Sequence, residues 1–248
     1  MDRVRLLLAA TDRLCSALAE QCFSPPVTHV YNPLEYARAP YEQYLRRYAA
    51  TPKRVLFFGM NPGPYGMTQT GVPFGEIHHV RDWLGIEAPV KQPAHEHPRR
   101  KITGFSCTRS EVSGARLWGL WRSRYQVPER FFAWAFVTNY CPLVFMEDSG
   151  RNLTPDKLKP KERAALLAPC DEHLREVAAA LCPEWVVGVG AFAKARAESA
   201  LSGFRVQGRP LSIGSIPHPS PASPAANRDW AGLALAALSA QGVPCPDR

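Results

Sequence analysis

No two of the seven cysteines, at 15, 22, 107, 141, 170, 182 and 245, form a CxxC pair, and their number is odd. That argues against a disulfide framework and against zinc or iron–sulfur ligation, and predicts free thiols in a reducing compartment. No apolar stretch approaches the ~20 residues that span a bilayer, so a soluble, intracellular protein with no membrane partner is expected. The N-terminus is no signal peptide either: Asp12 and Arg13 interrupt its apolar run, and Val4, Leu7, Leu8, Thr11, Leu14, Cys15 and Leu18 fall at helical spacing. Internal repeats and low-complexity tracts are lacking, and the 24 prolines are scattered through connections. Also missing are GxxxxGK[ST], a GxGxxG after a strand, and a Ser-His-Asp or Cys-His spacing, which lowers the weight of phosphoryl, hydride and acyl transfer. His78, His79, His95 and His97 have no companion Cys or Asp frame, so no metal and no cofactor is expected.

What is present is a net charge of +8 on 248 residues, a balance that favours polyanions. Four apolar runs read as buried strands: Val55–Met60, part of Phe131–Thr138, Trp185–Val189 and Leu211–Ile216. Between them lie helices at 161–182, which Pro169 is expected to split in two, and at 191–202. A last helix starts with Ser223 as N-cap and Pro224 at its first position, and stops at Gly242. This alternation predicts one α/β domain over residues 1–248: a mostly parallel four-stranded sheet with helices on both faces, an N-terminal helix within 1–24 and a tail at 241–248. Ligands of such sheets bind at the carboxyl ends of the strands. There stand Asn61-Pro62-Gly63, Asn139 and His218-Pro219-Ser220-Pro221, so three strands aim Asn61, Asn139 and His218 at one crevice.

Two amides and an imidazole, with no obligatory carboxylate, suit a leaving group that is stable as an anion. Hydrolysis of the N-glycosidic bond of uracil fits. His218 can donate to the base oxygen as charge builds, and Asn61 can orient water although it cannot act as a base. Asn139 offers the donor and acceptor that match uracil N3–H and O4, and Phe74 can stack on the ring. Taken singly, each has an ordinary structural reading: a turn Asn, a strand-end Asn, a core Phe, a His before Pro. Their expected convergence carries the functional one.

The segments GMNPGPYGMTQTGVPFGE (59–76), RDWLGI (81–86), SEVSGARLWG (110–119), NYCPLVF (139–145), SGRNLTP (149–155), VVGVG (186–190) and HPSP (218–221) together resemble the single-strand-selective monofunctional uracil-DNA glycosylase family. The resemblance implies a uracil-DNA glycosylase-like fold and base excision repair of uracil and 5-substituted uracils such as 5-hydroxymethyluracil. Single- and double-stranded DNA would be the partner, an abasic site the product, and the protein a monomer, cytoplasmic in a bacterium or nuclear in a eukaryote. It implies water positioning by Asn61, anion stabilisation by His218, base recognition by Asn139, stacking by Phe74, and backbone contacts from Met60 and Gly63, with room for a 5-substituent near Gly63. DNA contacts are implied for Ser113, Gly114, Arg116 and the wedge loop Pro219, Ser220, Pro221 and Ala222, where animal members of the family carry an arginine at the last position.

The Asp-bearing water motif of the most efficient uracil-DNA glycosylases is missing, which implies slower turnover. No lysine lies beside the motifs, so no covalent intermediate is expected. Arg81, Arg99, Arg100, Lys101, Arg109 and Arg116 form a candidate phosphate track. Two alternatives stay open at this point: a mismatch-directed uracil/thymine DNA glycosylase, and a non-catalytic damaged-DNA-binding protein.

Overall fold

A strand such as Val55–Gly59, buried at every position, needs cover on both of its faces. The computed structural model, which describes residues 2–246, provides it. In chain order run α1 (Arg3–Ala19), β1 (His29–Tyr31), α2 (Pro33–Tyr36), α3 (Arg38–Tyr48), β2 (Val55–Gly59), α4 (Met67–Thr70), α5 (Val112–Tyr125), α6 (Pro128–Phe132) and β3 (Ala135–Asn139). There follow β4 (Val144–Met146), β5 (Asn152–Leu153), α7 (Pro160–Leu181), β6 (Trp185–Val189), α8 (Ala191–Ala200), β7 (Arg205–Val206), β8 (Arg209–Pro210), β9 (Ser212–Ile216) and α9 (Pro224–Ala240).

The four predicted strands form one wholly parallel sheet in the order β3-β2-β6-β9. Helices α5, α6 and α9 pack together as one group and α1, α7 and α8 as another, giving the helix–sheet–helix layers of an α/β domain. Parallel pairing brings all carboxyl ends to one edge, with Gly59 directly beside Asn139.

Three expectations change. Phe131 lies in α6 and not in a strand: Pro128 opens a helical turn, and the Phe131 ring stacks on Trp121 in an aromatic cluster, so its apolarity serves a helix. Pro169 does not divide α7, which runs unbroken past it. The carbonyl that Pro169 leaves without its helical donor, that of Ala165, accepts the Gln21 side-chain amide at 2.9 Å, and this contact from the chain after α1 relieves the break. An unforeseen antiparallel sheet, β1-β4-β5, carries the segment after β5 towards the carboxyl edge of the main sheet. Met1 and the last two residues of the predicted 241–248 tail lie outside the described residues.

Candidate active site

Beyond the strands themselves, the amides of Tyr140 and Cys141 donate to the carbonyls of Gly59 and Met60, so the ends of β2 and β3 stay in register into their loops. Gly59 is required here: a Cβ on it would stand 2.5 Å from Phe74 Cζ and 2.7 Å from Asn139 Oδ1. The bare backbone lets ring and amide converge above it. Phe74 holds φ at 53°, a left-handed conformation costing roughly 1–2 kcal/mol for a residue with a side chain. Its surroundings enforce that conformation. Glu76 N–H donates to the Phe74 carbonyl at 2.7 Å, and Gly114 of α5 packs so close that a Cβ there would lie 2.2 Å from the same oxygen.

Met60, Asn61, Gly63, Phe74, Ser113, Asn139 and His218 line a single cavity of about 140 Å³. A cavity of about 150 Å³ holds one benzene-sized ring, while drug-sized ligands need roughly 300 Å³ or more. The volume is that of one six-membered ring. Pro62, Gly66, Met67, Glu111, Asn152 and Thr154 complete its wall.

The hydrogen bonds set what each polar group presents. Ser220 N–H donates to His218 Nδ1 at 3.1 Å, which fixes the neutral imidazole with its proton on Nε2. Burial pushes the His218 pKa below its ordinary value and favours that neutral form. Asn61 spends its amide N–H on the Leu143 carbonyl at 3.1 Å, leaving Oδ1 as an acceptor. Asn139, almost wholly buried, directs Nδ2 to Met67 Sδ at 3.1 Å, a weak acceptor that a carbonyl oxygen could replace. The neighbouring Tyr140 hydroxyl donates to Asp171 at 2.5 Å, and Arg196 pairs with the other oxygen of that carboxylate, so the residue after Asn139 is anchored to α7 and α8.

The loop at 219–222, expected to act as a wedge, does not line the cavity but borders it through His218. Arg116 donates to the Pro219 carbonyl at 3.0 Å and to Asn227 Oδ1 at 2.8 Å, and Asn227 Nδ2 donates to the Pro221 carbonyl at 2.9 Å. Pro221 and Ala222 are left exposed at the tip of a braced loop. Of the suggested phosphate track, Arg81 is paired with Asp82 and Lys101 with Glu96, while Arg99 reaches the Ser149 carbonyl. Arg100 and Arg109 instead converge on one hydroxyl, that of Tyr65, with Arg109 lying 4.1 Å from the ring centre. Neither forms an ion pair with a carboxylate among the described residues.

Sequence reasoning missed Gly66, Met67, Glu111, Asn152 and Thr154. Of the last two, Asn152 lies in β5 of the small antiparallel sheet and Thr154 just after it, and the two- and three-residue strands of that sheet give no periodicity to read. Glu111, at the N-cap position of α5 but making no cap hydrogen bond, looks in sequence like an ordinary helix-start acid. Beside Gly63, which itself lines the cavity, lies the Glu111 carboxyl, whose Oε2 would be 2.5 Å from a Cβ on that glycine.

Residues 46–238 match the uracil DNA glycosylase superfamily. A Mus musculus protein, single-strand selective monofunctional uracil DNA glycosylase, is 47% identical over 93% of this chain and 82% of its own. Its Bos taurus counterpart of the same name is 48% identical over 93% and 84%. The crystal structure of SMUG2 from Pedobacter heparinus superposes with a TM-score of 0.65 at 16% identity, over 95% of this chain and 99% of that one, a likeness of fold. The chain therefore belongs to the single-strand selective monofunctional family of uracil-DNA glycosylases, within the uracil DNA glycosylase superfamily. No described helix is long and apolar enough to cross a membrane.

Proposed function

We propose that this protein hydrolyses the N-glycosidic bond of uracil, and of 5-substituted uracils such as 5-hydroxymethyluracil, in single- and double-stranded DNA. The observation that carries the reading is the His218 tautomer: with Nδ1 occupied by Ser220 N–H, the Nε2–H donor serves the same one-ring cavity that Asn61 and Asn139 line.

In this reading the base leaves the helix, enters the cavity and stacks on Phe74, and unstacking it costs a few kcal/mol. The exposed Pro221–Ala222 tip fills the gap, with Pro219, Ser220 and Arg116 holding the loop, and Ser113 and Gly114 at the start of α5 approach the strand. Asn139 donates to O4 and accepts from N3–H, a pattern that cytosine inverts. Met60 and Gly63 frame the ring with backbone. As the C1′–N1 bond breaks, its electron pair passes to the base and spreads to O2, where Nε2–H of His218 stabilises it. Water held on Asn61 Oδ1 adds to C1′, and its proton leaves to solvent or to the departing base. Sugar and base separate with no covalent link to the protein, and an abasic site remains. A monomer acting where DNA resides, in bacterial cytoplasm or a eukaryotic nucleus, suffices for every step.

The test is base release from oligonucleotides carrying uracil, 5-hydroxymethyluracil or thymine, single- and double-stranded, with alkali revealing abasic sites. Wild type should release the first two, and Asn61→Ala or His218→Leu should each lower the rate by ~10² or more. Binding without release by folded wild type would overturn the catalytic reading, and release from G·T pairs in preference to uracil would assign the mismatch-directed branch.

A further inference from the structure

We propose that Glu76 is a positioning residue for the stacking ring: its carboxylate pins the start of α5 to the turn that carries Phe74, and that grip keeps the ring over Gly59. What stacks on the ring rests on the uracil reading given above.

Glu76 closes the Phe74 turn with both its backbone and its side chain. Its N–H donates to the Phe74 carbonyl at 2.7 Å, and its carboxylate, on a side chain only 3% exposed, bonds forward to the next turn and across to the chain before α5. Oε1 accepts the Ser110 hydroxyl at 3.0 Å, and Oε2 accepts the His79 amide at 3.1 Å and the His79 ring Nδ1–H at 2.7 Å. Three donors on one carboxyl call for its ionised, acceptor-only form. Burial alone would push its pKa up, but the bonds from His79 and Ser110 outweigh that and hold it below the ordinary carboxylate value.

Ser110 stands just before α5, and Gly114 in the first turn of that helix is seated on the Phe74 carbonyl. A Cβ on Gly114 would lie 2.2 Å from that oxygen and 3.1 Å from Glu76 Cβ. The Ser110 bond therefore holds α5 where its backbone blocks the Phe74 peptide from turning back. With φ at 53°, Phe74 is in a conformation disfavoured for a residue with a side chain, so lifting the block lets it relax. Relaxation swings the ring away from Gly59, where Phe74 Cζ stands 2.5 Å from the position of a Cβ. Glu76 does not line the cavity, so its effect on the reaction passes through a neighbour, and Phe74 is the one it clamps directly.

The experiment joins a double-mutant cycle to a direct view of the ring. Stacking a base on an aromatic side chain is worth about tenfold or more, so Glu76→Ala should lower kcat/KM on single-stranded uracil DNA by ~10-fold. Glu76→Gln can still accept from His79 and donate to Ser110, and should recover most of that loss. In a Phe74→Ala background, Glu76→Ala should cost less than ~2-fold more, because the ring it positions is gone. In protein labelled with 4-fluorophenylalanine, the Phe74 fluorine NMR signal, identified by its loss in Phe74→Leu, should shift or broaden in Glu76→Ala and Ser110→Ala and stay in place in Glu76→Gln. Losses that multiply in the cycle, or an unmoved Phe74 signal in folded Glu76→Ala, would overturn the proposal; a carboxylate that only caps the turn His79–Trp83 gives both. If Glu76→Ala does not fold, Ser110→Ala, which leaves the His79 bonds in place, decides by the same two readouts. Wild type that fails to release uracil would remove the glycosylase reading, and the fluorine signal would still test the clamp.

Discussion

His218 shows how a single backbone amide can set the chemistry of a side chain. Ser220 N–H at 3.1 Å occupies Nδ1, and protonating that nitrogen would place two donors against each other, so both this bond and burial favour the neutral ring. The folded pKa therefore falls below the unfolded one. The sign follows: the stability this group contributes is present above its ordinary value of 6.5 and is lost as pH falls, because the unfolded chain takes up the proton first. Nitrogen-15 NMR of the histidine rings should find His218 neutral and protonated on Nε2 at pH 6.5, with titration only below that value; an imidazolium signal at pH 6.5 would sink the assignment. Of the cavity residues, those at strand ends were legible from their position in the chain. Glu111 was not, because its place in the cavity wall depends on the bare backbone of Gly63, and nothing in a sequence pairs those two positions.

At the level of elements, α7 is held by contacts that its own sequence does not advertise. Gln21 supplies the donor that Pro169 cannot, and on the α1 side His173 is buried with Nδ1 lacking a partner among the described residues. Desolvation lowers the His173 pKa from 6.5 to about 4, only partly opposed by the Ala10 backbone. Unfolded protein therefore binds a proton between those values that folded protein does not, and this group alone should cost about 3 kcal/mol of stability between pH 6.5 and 4. Urea unfolding of His173→Leu should show a flatter acid limb than wild type, with stability at pH 7 equal or higher; an unchanged slope would mean that His173 is protonated in the fold. The same elements divide the legible from the illegible. Strands β2, β3, β6 and β9 announce themselves because central parallel strands must be apolar on both faces, whereas β1, β4 and β5 are too short to carry a period. The Phe131 and Pro169 readings failed because packing against distant residues overrode a local signal.

Over the whole molecule the net charge of +8 says little until the ion pairs are taken out. Arg38, Arg54, Arg81, Lys101 and Arg196 each face a carboxylate. Beside the cavity the balance differs: Arg100 and Arg109 share the Tyr65 hydroxyl, Tyr65 lies between the lining residues Gly63 and Gly66, and Arg100 also holds the Gly150 carbonyl at 2.6 Å, two residues before the lining Asn152. Two like charges brought to one acceptor without a carboxylate repel each other, and a phosphate would relieve that repulsion with charge-assisted bonds. If both guanidiniums contact the DNA backbone, each releases counterions, and the slope of log affinity against log salt should become shallower by about 0.9 per lost contact on duplex and about 0.7 on single strands. Arg100→Ala with Arg109→Ala should therefore flatten the duplex slope by nearly 2 and raise KM at moderate salt, with kcat at saturation little changed. Lys101→Ala, whose partner is Glu96 2.7 Å away, is the control and should leave the slope as it is. A double arginine variant with the wild-type slope would move the phosphate track to another face, and the surplus charge beside the cavity would then act only as a long-range field that speeds encounter.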